Sequence, residues 1–275
     1  MLVNPIPYMP NITDRLDNEV HKLTVPLNKT TVLMDADSLV YLAGFAVEHG
    51  DEVEEFKKCE FILRNKKREI ERLTQGANQH WYLTKGSTLW RNDYAEYVEY
   101  KGNRKNASKP YHYDECREFL VKKFGAKILS NVEADDVVAD RARQYRGRVI
   151  ICSMDKDLRT IAGHYINPNK IDDGIQYVTT REACLNLYVQ MLMGDIADNI
   201  KGLKGWGIKK STRALEGFRT EKGMQEFVTQ QYKEAFPKIV EGWGGVEMTW
   251  EDILIETANL LFLREDEEEK FTWSI

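Results

Sequence analysis

The sequence predicts an α/β fold, a mainly parallel central sheet flanked by helices, followed by a helical C-terminal region. Three observations predict it. Thr31-Val-Leu-Met and Arg148-Val-Ile-Ile-Cys are short apolar runs closed by polar or acidic residues. The second run is apolar without interruption after its first residue, as a strand covered on both faces must be. Between the runs, apolar residues recur at helical spacing, first at Phe56, Cys59, Leu63, Ile70 and Leu73. Strands alternating with helices call for parallel pairing, because each return crossing is a helix.

The elements follow in order. Residues 1–30 carry Pro5, Pro7, Pro10 and Pro26 among polar residues and read as an N-terminal extension. A buried strand then runs from Thr31 and ends at Asp35. Residues 51–74 form an amphipathic helix with a basic outer face. Trp81-Tyr-Leu is the second strand. Residues 85–113 are polar, basic and tyrosine-rich with little periodicity, an arch-like segment inside a core domain spanning 31–180. Cys116, Phe119, Leu120 and Phe124 share one face of a helix over 114–124. Ala126 to Leu129 is a strand, Glu133 to Gln144 a helix, and 148–153 the central strand. Two strands, His164 to Asn167 and Ile175 to Val178, flank the turn Asp172-Asp173-Gly174. From Arg181 the pattern is mostly helical, so 181–275 reads as a helical region containing a Gly-rich hairpin at 194–217.

The chain of 275 residues is 42% hydrophobic and 30% charged, enough for a sizeable core. Its net charge of −5 argues weakly against a polyanion partner, but the charges are segregated. Lys101, Arg104, Lys105 and Lys109 lie in a stretch without acids, and so do Lys201, Lys204, Lys209, Lys210 and Arg213. Basic stripes of this kind bind a polyanion locally on an acidic protein. The cysteines form no C-x-x-C pair, so zinc spacing is absent, and a reducing cytoplasm suits them. No apolar stretch reaches membrane-span length and no signal peptide is recognisable. His49, His80 and His112 read as surface residues.

Eight acids stand in four clusters, each beside an apolar run or a Gly-rich turn. They are Asp35; Glu133, Asp135 and Asp136; Asp155 and Asp157; and Asp195 and Asp198. Acids at the ends of buried elements are costly unless their charge is cancelled. Mg²⁺ suits them, since it takes oxygen ligands and belongs with phosphate chemistry. Taken singly, each cluster has an ordinary structural explanation. Asp155 and Asp157 suit an Asx-turn after a strand, and Glu133-Ala-Asp-Asp suits the positive end of a helix. The hairpin is more specific. Gly202, Gly205 and Gly207 allow tight turns and close approach, and the next helix offers free N–H groups to a phosphate beside Lys209 and Lys210. Tyr100-Lys-Gly-Asn-Arg, with Tyr94, Tyr97, Tyr111 and Tyr113 nearby, combines rings for base stacking with charges for a backbone.

The order of these motifs, from about Val32 to Leu215, resembles the 5′ nuclease superfamily. That group includes flap endonucleases, the 5′ nuclease domain of bacterial DNA polymerase I and phage 5′→3′ exonucleases. The length and the Trp-Arg followed by Lys-Gly-Asn-Arg look most like the phage enzymes. The resemblance implies a PIN-like core with a helix-hairpin-helix-like region. It implies two Mg²⁺ ions, with Mn²⁺ as a substitute. Asp35, Glu133, Asp135, Asp155 and Asp157 would serve the first ion, and Asp136, Asp195 and Asp198 the second. It further implies that Lys101 and Arg104 stabilise the scissile phosphate and that Tyr100 stacks on the terminal nucleotide. Arg91, Lys105 and Lys109 would bind DNA, and the hairpin would grip duplex backbone around K⁺. The implied partner is DNA with a 5′ end, flap or nick, or an RNA–DNA hybrid, alongside replication proteins. The implied state is a monomer in the cytoplasm, the host's if the chain is phage-encoded. One position departs from the pattern: Thr84 stands where family members often carry an Asp. A non-catalytic branched-DNA binder is the reading that this departure favours.

Overall fold

The computed structural model describes Leu16, Phe271 and residues 22–47, 52–104 and 108–265. Lys105, His49 and most of the N-terminal extension lie outside them. The chain divides into two compact units. One contains Val20–Ser87 and Ser108–Val178, the other Thr88–Ala107 and Thr179–Ile275.

The first unit holds a six-stranded sheet ordered β3-β2-β1-β4-β5-β6 among the described residues. Its strands are β1 (Thr31–Asp35), β2 (Asn78–Leu89), β3 (Lys127–Asn131), β4 (Val149–Cys152), β5 (Gly163–Ile166) and β6 (Gln176–Val178). β1 pairs in parallel with both β2 and β4, and β4 with β5, while β6 closes the edge antiparallel to β5. All four residues of β4 are buried, as its unbroken apolar run requires. The strand order reverses between β1 and β4. In open sheets of this kind ligands gather beyond the carboxyl ends at that reversal. Asp35 closes β1 there, and Asp155 follows β4 by three residues.

The helices of this unit are α1 (Asp37–Phe45), α2 (Glu52–Leu73), α4 (Tyr113–Phe124) and α5 (Ala134–Gln144), with α3 (Trp90–Tyr94) belonging to the second unit. α2 presents Cys59, Leu63 and Ile70, all fully buried, to a core shared with Val32, Met34, Trp81, Leu120 and Ile150. α1 was not foreseen. It is nine residues long and starts two residues after β1. β2 runs well past the three residues expected, through Lys85 and Gly86. His112 is not a surface residue. Its side chain is 7% exposed, between the carboxylates of Glu55 and Glu115.

The second unit packs α6 (Thr180–Met193), α7 (Ile208–Leu215), α8 (Glu221–Ala235) and α9 (Trp250–Leu261) with two small ribbons. The ribbons are β7 (Gly194–Asp195) with β8 (Ile200–Lys201), and β9 (Val240–Glu241) with β10 (Glu247–Met248). Thr179 and Thr249 cap α6 and α9 by accepting from Glu182 N–H and Asp252 N–H. Tyr188, Met224, Val228, Tyr232, Ile253 and Leu254 are fully buried at the centre. The stretch from Trp90 to Tyr100, expected as an irregular loop, is stitched to this core. Glu256 accepts from the backbone N–H groups of Glu96 (2.9 Å) and Tyr97 (3.0 Å), and Trp243 Nε1 donates to Ala95 O. Tyr94 and Tyr97 pack against the same core. The abundance of aromatic rings here reflects burial; composition alone does not separate a stacking platform from a core.

Candidate metal centre and nucleic-acid interface

Six of the eight predicted acids belong to the first unit. Asp35, 6% exposed, accepts a hydrogen bond from Ser153 Oγ at 2.7 Å, and the same Oγ accepts from Asp155 N–H at 2.9 Å. Ser153 therefore links the carboxyl ends of β1 and β4. Asp155 in turn accepts from Asp157 N–H at 2.8 Å, forming the Asx-turn that opens a short 3-10 helix at Asp157. Burial drives the Asp35 carboxyl up to about 7, and the neighbouring charges of Asp37 and Asp155 add to this against the Ser153 hydrogen bond.

The other three stand at the start of α5. Glu133 is its N-cap, and Asp136 accepts from Glu133 N–H at 3.1 Å. Asp135 accepts from Asp136 N–H at 2.8 Å. Carboxylate oxygens of Glu133, Asp135 and Asp136 lie within 4.8 Å of one another, and Asp136 is fully buried. An all-oxygen set this compact fits a hard divalent cation. Helix-dipole matching also holds, so the capping and metal readings describe the same side chains.

Thr84 joins these groups. Its backbone N–H donates to Asp37 Oδ2 at 2.9 Å, and its Oγ1 accepts from Ala134 N–H, the first of α5, at 3.0 Å. Arg117, on α4, donates to Asp37 Oδ1 at 2.7 Å and to the carbonyl of Thr84. Ser153 and Arg117 escaped the sequence reading. Ser153 had a weak signal, its place directly after the β4 run. Arg117 had none, being one cation on an ordinary amphipathic helix.

In the second unit, the predicted basic residues meet Asp195 and Asp198. Asp195 is 2% exposed and ties its own loop by accepting from Ala197 N–H (2.7 Å) and Asp198 N–H (3.2 Å). Asp198 accepts from Tyr100 OH at 2.9 Å and Arg104 Nη2 at 2.7 Å, with Lys101 Nζ at 3.5 Å. Backbone bonds reinforce the contact: Lys101 N–H to Asp198 O, Asn103 Nδ2 to Ile196 O, and Arg104 Nε to Ala197 O. Lys101 has φ +53°, a left-handed conformation that this docking holds in place. Asp198 is thus compensated by cations and a hydroxyl of its own unit.

Two predicted roles need correction. Tyr100 is 5% exposed, its ring packed in the core, so it offers no face to a terminal base. Arg91 is 1% exposed. It donates through Nε to Leu260 O at 3.0 Å and stacks on Trp90, so it holds the fold and presents no cation at the surface. The last carbonyls of α9 lack intrahelical donors and need such a partner, and the apolar stem of arginine packs readily. Lys109 is exposed, 3.9 Å from Asp114 and over the ring of Tyr113.

Between β7 and α7 the chain turns tightly at its glycines. A Cβ on Gly202 would lie 2.1 Å from the Met193 carbonyl carbon, so only glycine lets β7 and β8 meet. Gly205 takes φ +82° in the following turn. Gly207 is the N-cap of α7, whose first residues Ile208, Lys209 and Lys210 are exposed. Lys201 and Lys204 are exposed as well. Trp206 packs against Phe227 with Lys210 over its ring.

No protein-family model matches the chain. It is 29% identical to DNA polymerase I of Bacillus caldotenax over 216 residues, which is 70% of this chain and 24% of the polymerase. With DNA polymerase I of Treponema pallidum it shares 29% over 170 residues, 54% of this chain and 16% of that one. The chain therefore spans a quarter or less of the length of these relatives. Among solved structures it is similar to a bacteriophage T5 flap endonuclease in complex with DNA and metal ions (TM-score 0.60, 16% identity, covering 84% of this chain and 88% of that one). It is also similar to the T5 5′-exonuclease with bound zinc (TM-score 0.57, 15% identity, 84% and 88%). The chain shares its fold with these T5 nucleases, with the sheet and C-terminal helices that the motif order led us to expect.

Proposed function

We propose that this chain, built on the 5′ nuclease fold, is a divalent-metal-dependent nuclease that hydrolyses phosphodiesters at 5′ ends and flaps of DNA. The observation that carries the reading is two acidic groups in the first unit, one at the carboxyl ends of β1 and β4 and one at the start of α5. Asp35 and Asp155 share Ser153 in the one, and Glu133, Asp135 and Asp136 crowd together in the other. A fold keeps so many mutually repelling acids in one unit at a cost, and cation binding offsets it.

Asp35, Glu133, Asp135, Asp136, Asp155 and Asp157 would hold the metal. Two Mg²⁺ ions, when bound, would supply Lewis-acid chemistry, activating water at neutral pH and neutralising charge on the scissile phosphate. The carboxylates orient and hold; they need not carry protons. In the second unit Asp195 and Asp198 fix the loop on which Lys101 and Arg104 are mounted. Arg104, whose side chain is 48% exposed, offers its guanidinium to phosphate. The start of α7 with Lys209 and Lys210, and the exposed Lys201 and Lys204, bind duplex backbone without reading sequence. Cleavage leaves a 5′-phosphate and a 3′-hydroxyl.

The test is a gel of duplex, flap and RNA–DNA hybrid substrates labelled at either end, run with Mg²⁺ and with EDTA. Short 5′-phosphorylated products with Mg²⁺ alone are expected. Cleavage that persists in EDTA, or none in either, rules the proposal out; preference for the hybrid points to primer removal.

A further inference from the structure

Every polar backbone and side-chain group of Thr84 has a partner in the first unit. Its N–H donates to Asp37, its carbonyl accepts from Arg117, and its hydroxyl accepts from Ala134 N–H. Arg117 closes the ring by donating to the second oxygen of Asp37. Arg117 is 9% exposed and also donates to Tyr113 OH at 3.3 Å, so its planar fork is fixed on several sides.

Ala134 lies between Glu133 and Asp135. Its N–H is one of the donors at a helix start that lack an intrahelical acceptor. Here a hydroxyl from β2 satisfies it, which ties the start of α5 to the sheet. The three carboxylates carried by that helix end lie within 4.8 Å of one another and repel when no cation is bound. An anchor on the backbone between them resists their spreading.

We infer that Thr84, clamped by Arg117 and Asp37, is a positioning residue that fixes the start of α5 and so holds Glu133, Asp135 and Asp136 in the arrangement a divalent cation needs. The inference rests on the metal-dependent reading above. Thr84 gives up nothing as a ligand in this role, because the hydroxyl acts on the helix and not on the ion. The departure at Thr84, which sequence alone set against a working centre, becomes part of how the centre is held.

Mn²⁺ uptake, followed by loss of the free-ion electron paramagnetic resonance signal, tests it on the full chain. Thr84→Val keeps the shape and removes the acceptor. It is expected to weaken Mn²⁺ binding by about tenfold, the lower range for partners that orient metal ligands. Thr84→Ser keeps the hydroxyl and should bind like the wild type. Arg117→Lys keeps the charge but loses the rigid planar fork that spans Asp37 and the Thr84 carbonyl, and should also weaken binding. Wild-type affinity in Thr84→Val overturns the inference, including the case where the metal-free melting temperature falls and affinity does not. If Thr84→Val shows no folded baseline in EDTA, Arg117→Lys decides in the same way. A wild-type protein that takes up no Mn²⁺ overturns the proposed function and this inference with it, whereas uptake that is equal in wild type and variants overturns this inference alone.

Discussion

At Asp35, burial and like charge act in the same direction on one carboxyl. Its value rises from 3.8 to about 7, so the metal-free native state holds that proton more tightly than the unfolded chain does. Its contribution is therefore fully present below about pH 4 and is lost as pH rises to about 7. A shift of this size corresponds to roughly 4 kcal/mol. In EDTA, Asp35→Asn should be more stable than the wild type at pH 8 and nearly equal at pH 4, as read by urea denaturation. Equal stability at pH 8 would refute it. Arg91 makes the opposite kind of prediction. Arg91→Met leaves buried carbonyls near Leu260 unpaired and should cost about 1–3 kcal/mol of stability. Competition binding with salt titration should find the DNA affinity of the folded variant unchanged. At this scale the acids were legible because each follows or flanks an apolar run, which fixes it at an element end. Arg91 and Tyr100 were not, since a basic or aromatic residue in a polar stretch carries no sign of which side of the surface its side chain takes.

Elements differ in how much of themselves they show in sequence. α2 and α4 declared their buried faces through spacing, and β4 through its unbroken run. α1 and the far half of β2 did not, because short segments with mixed polarity gain their conformation from the sheet and the helices packed on it. The hairpin was legible for a different reason. Gly202 is required by backbone contact, and such contacts leave glycine no substitute. Its product is the exposed basic start of α7. Lys209→Ala should weaken duplex binding in Ca²⁺ similarly for all sequences, and should reduce the slope of log affinity against log salt by about one. Fluorescence anisotropy between low and moderate salt measures this, and an unchanged slope would remove Lys209 from the interface.

For the molecule as a whole, metal binding and folding are one equilibrium. A cation that binds only the native state adds about 2.7 kcal/mol at a hundred times its dissociation constant. Mg²⁺ should therefore raise the melting temperature over that in EDTA, and Asp35→Asn should show a smaller rise; a melting temperature indifferent to Mg²⁺ would count against the centre. No described helix is long and apolar enough to cross a membrane. The alternation of strands and helices made the sheet legible, but its companion unit was harder to delimit, because Thr88–Ala107, which starts at the end of β2 and stops before α4, clusters with Thr179–Ile275. That interleaving bears on how the gene can be cut. A fragment stopping at Val178 would carry Leu89, Tyr94 and Tyr100 away from the apolar neighbours that sequester them, and would be expected to precipitate. The complementary piece would lack the lysine and arginine that neutralise Asp198. Mixing two such halves is a poor route to dissection; excising 88–107 from one and grafting it onto the other respects the way the polypeptide is partitioned.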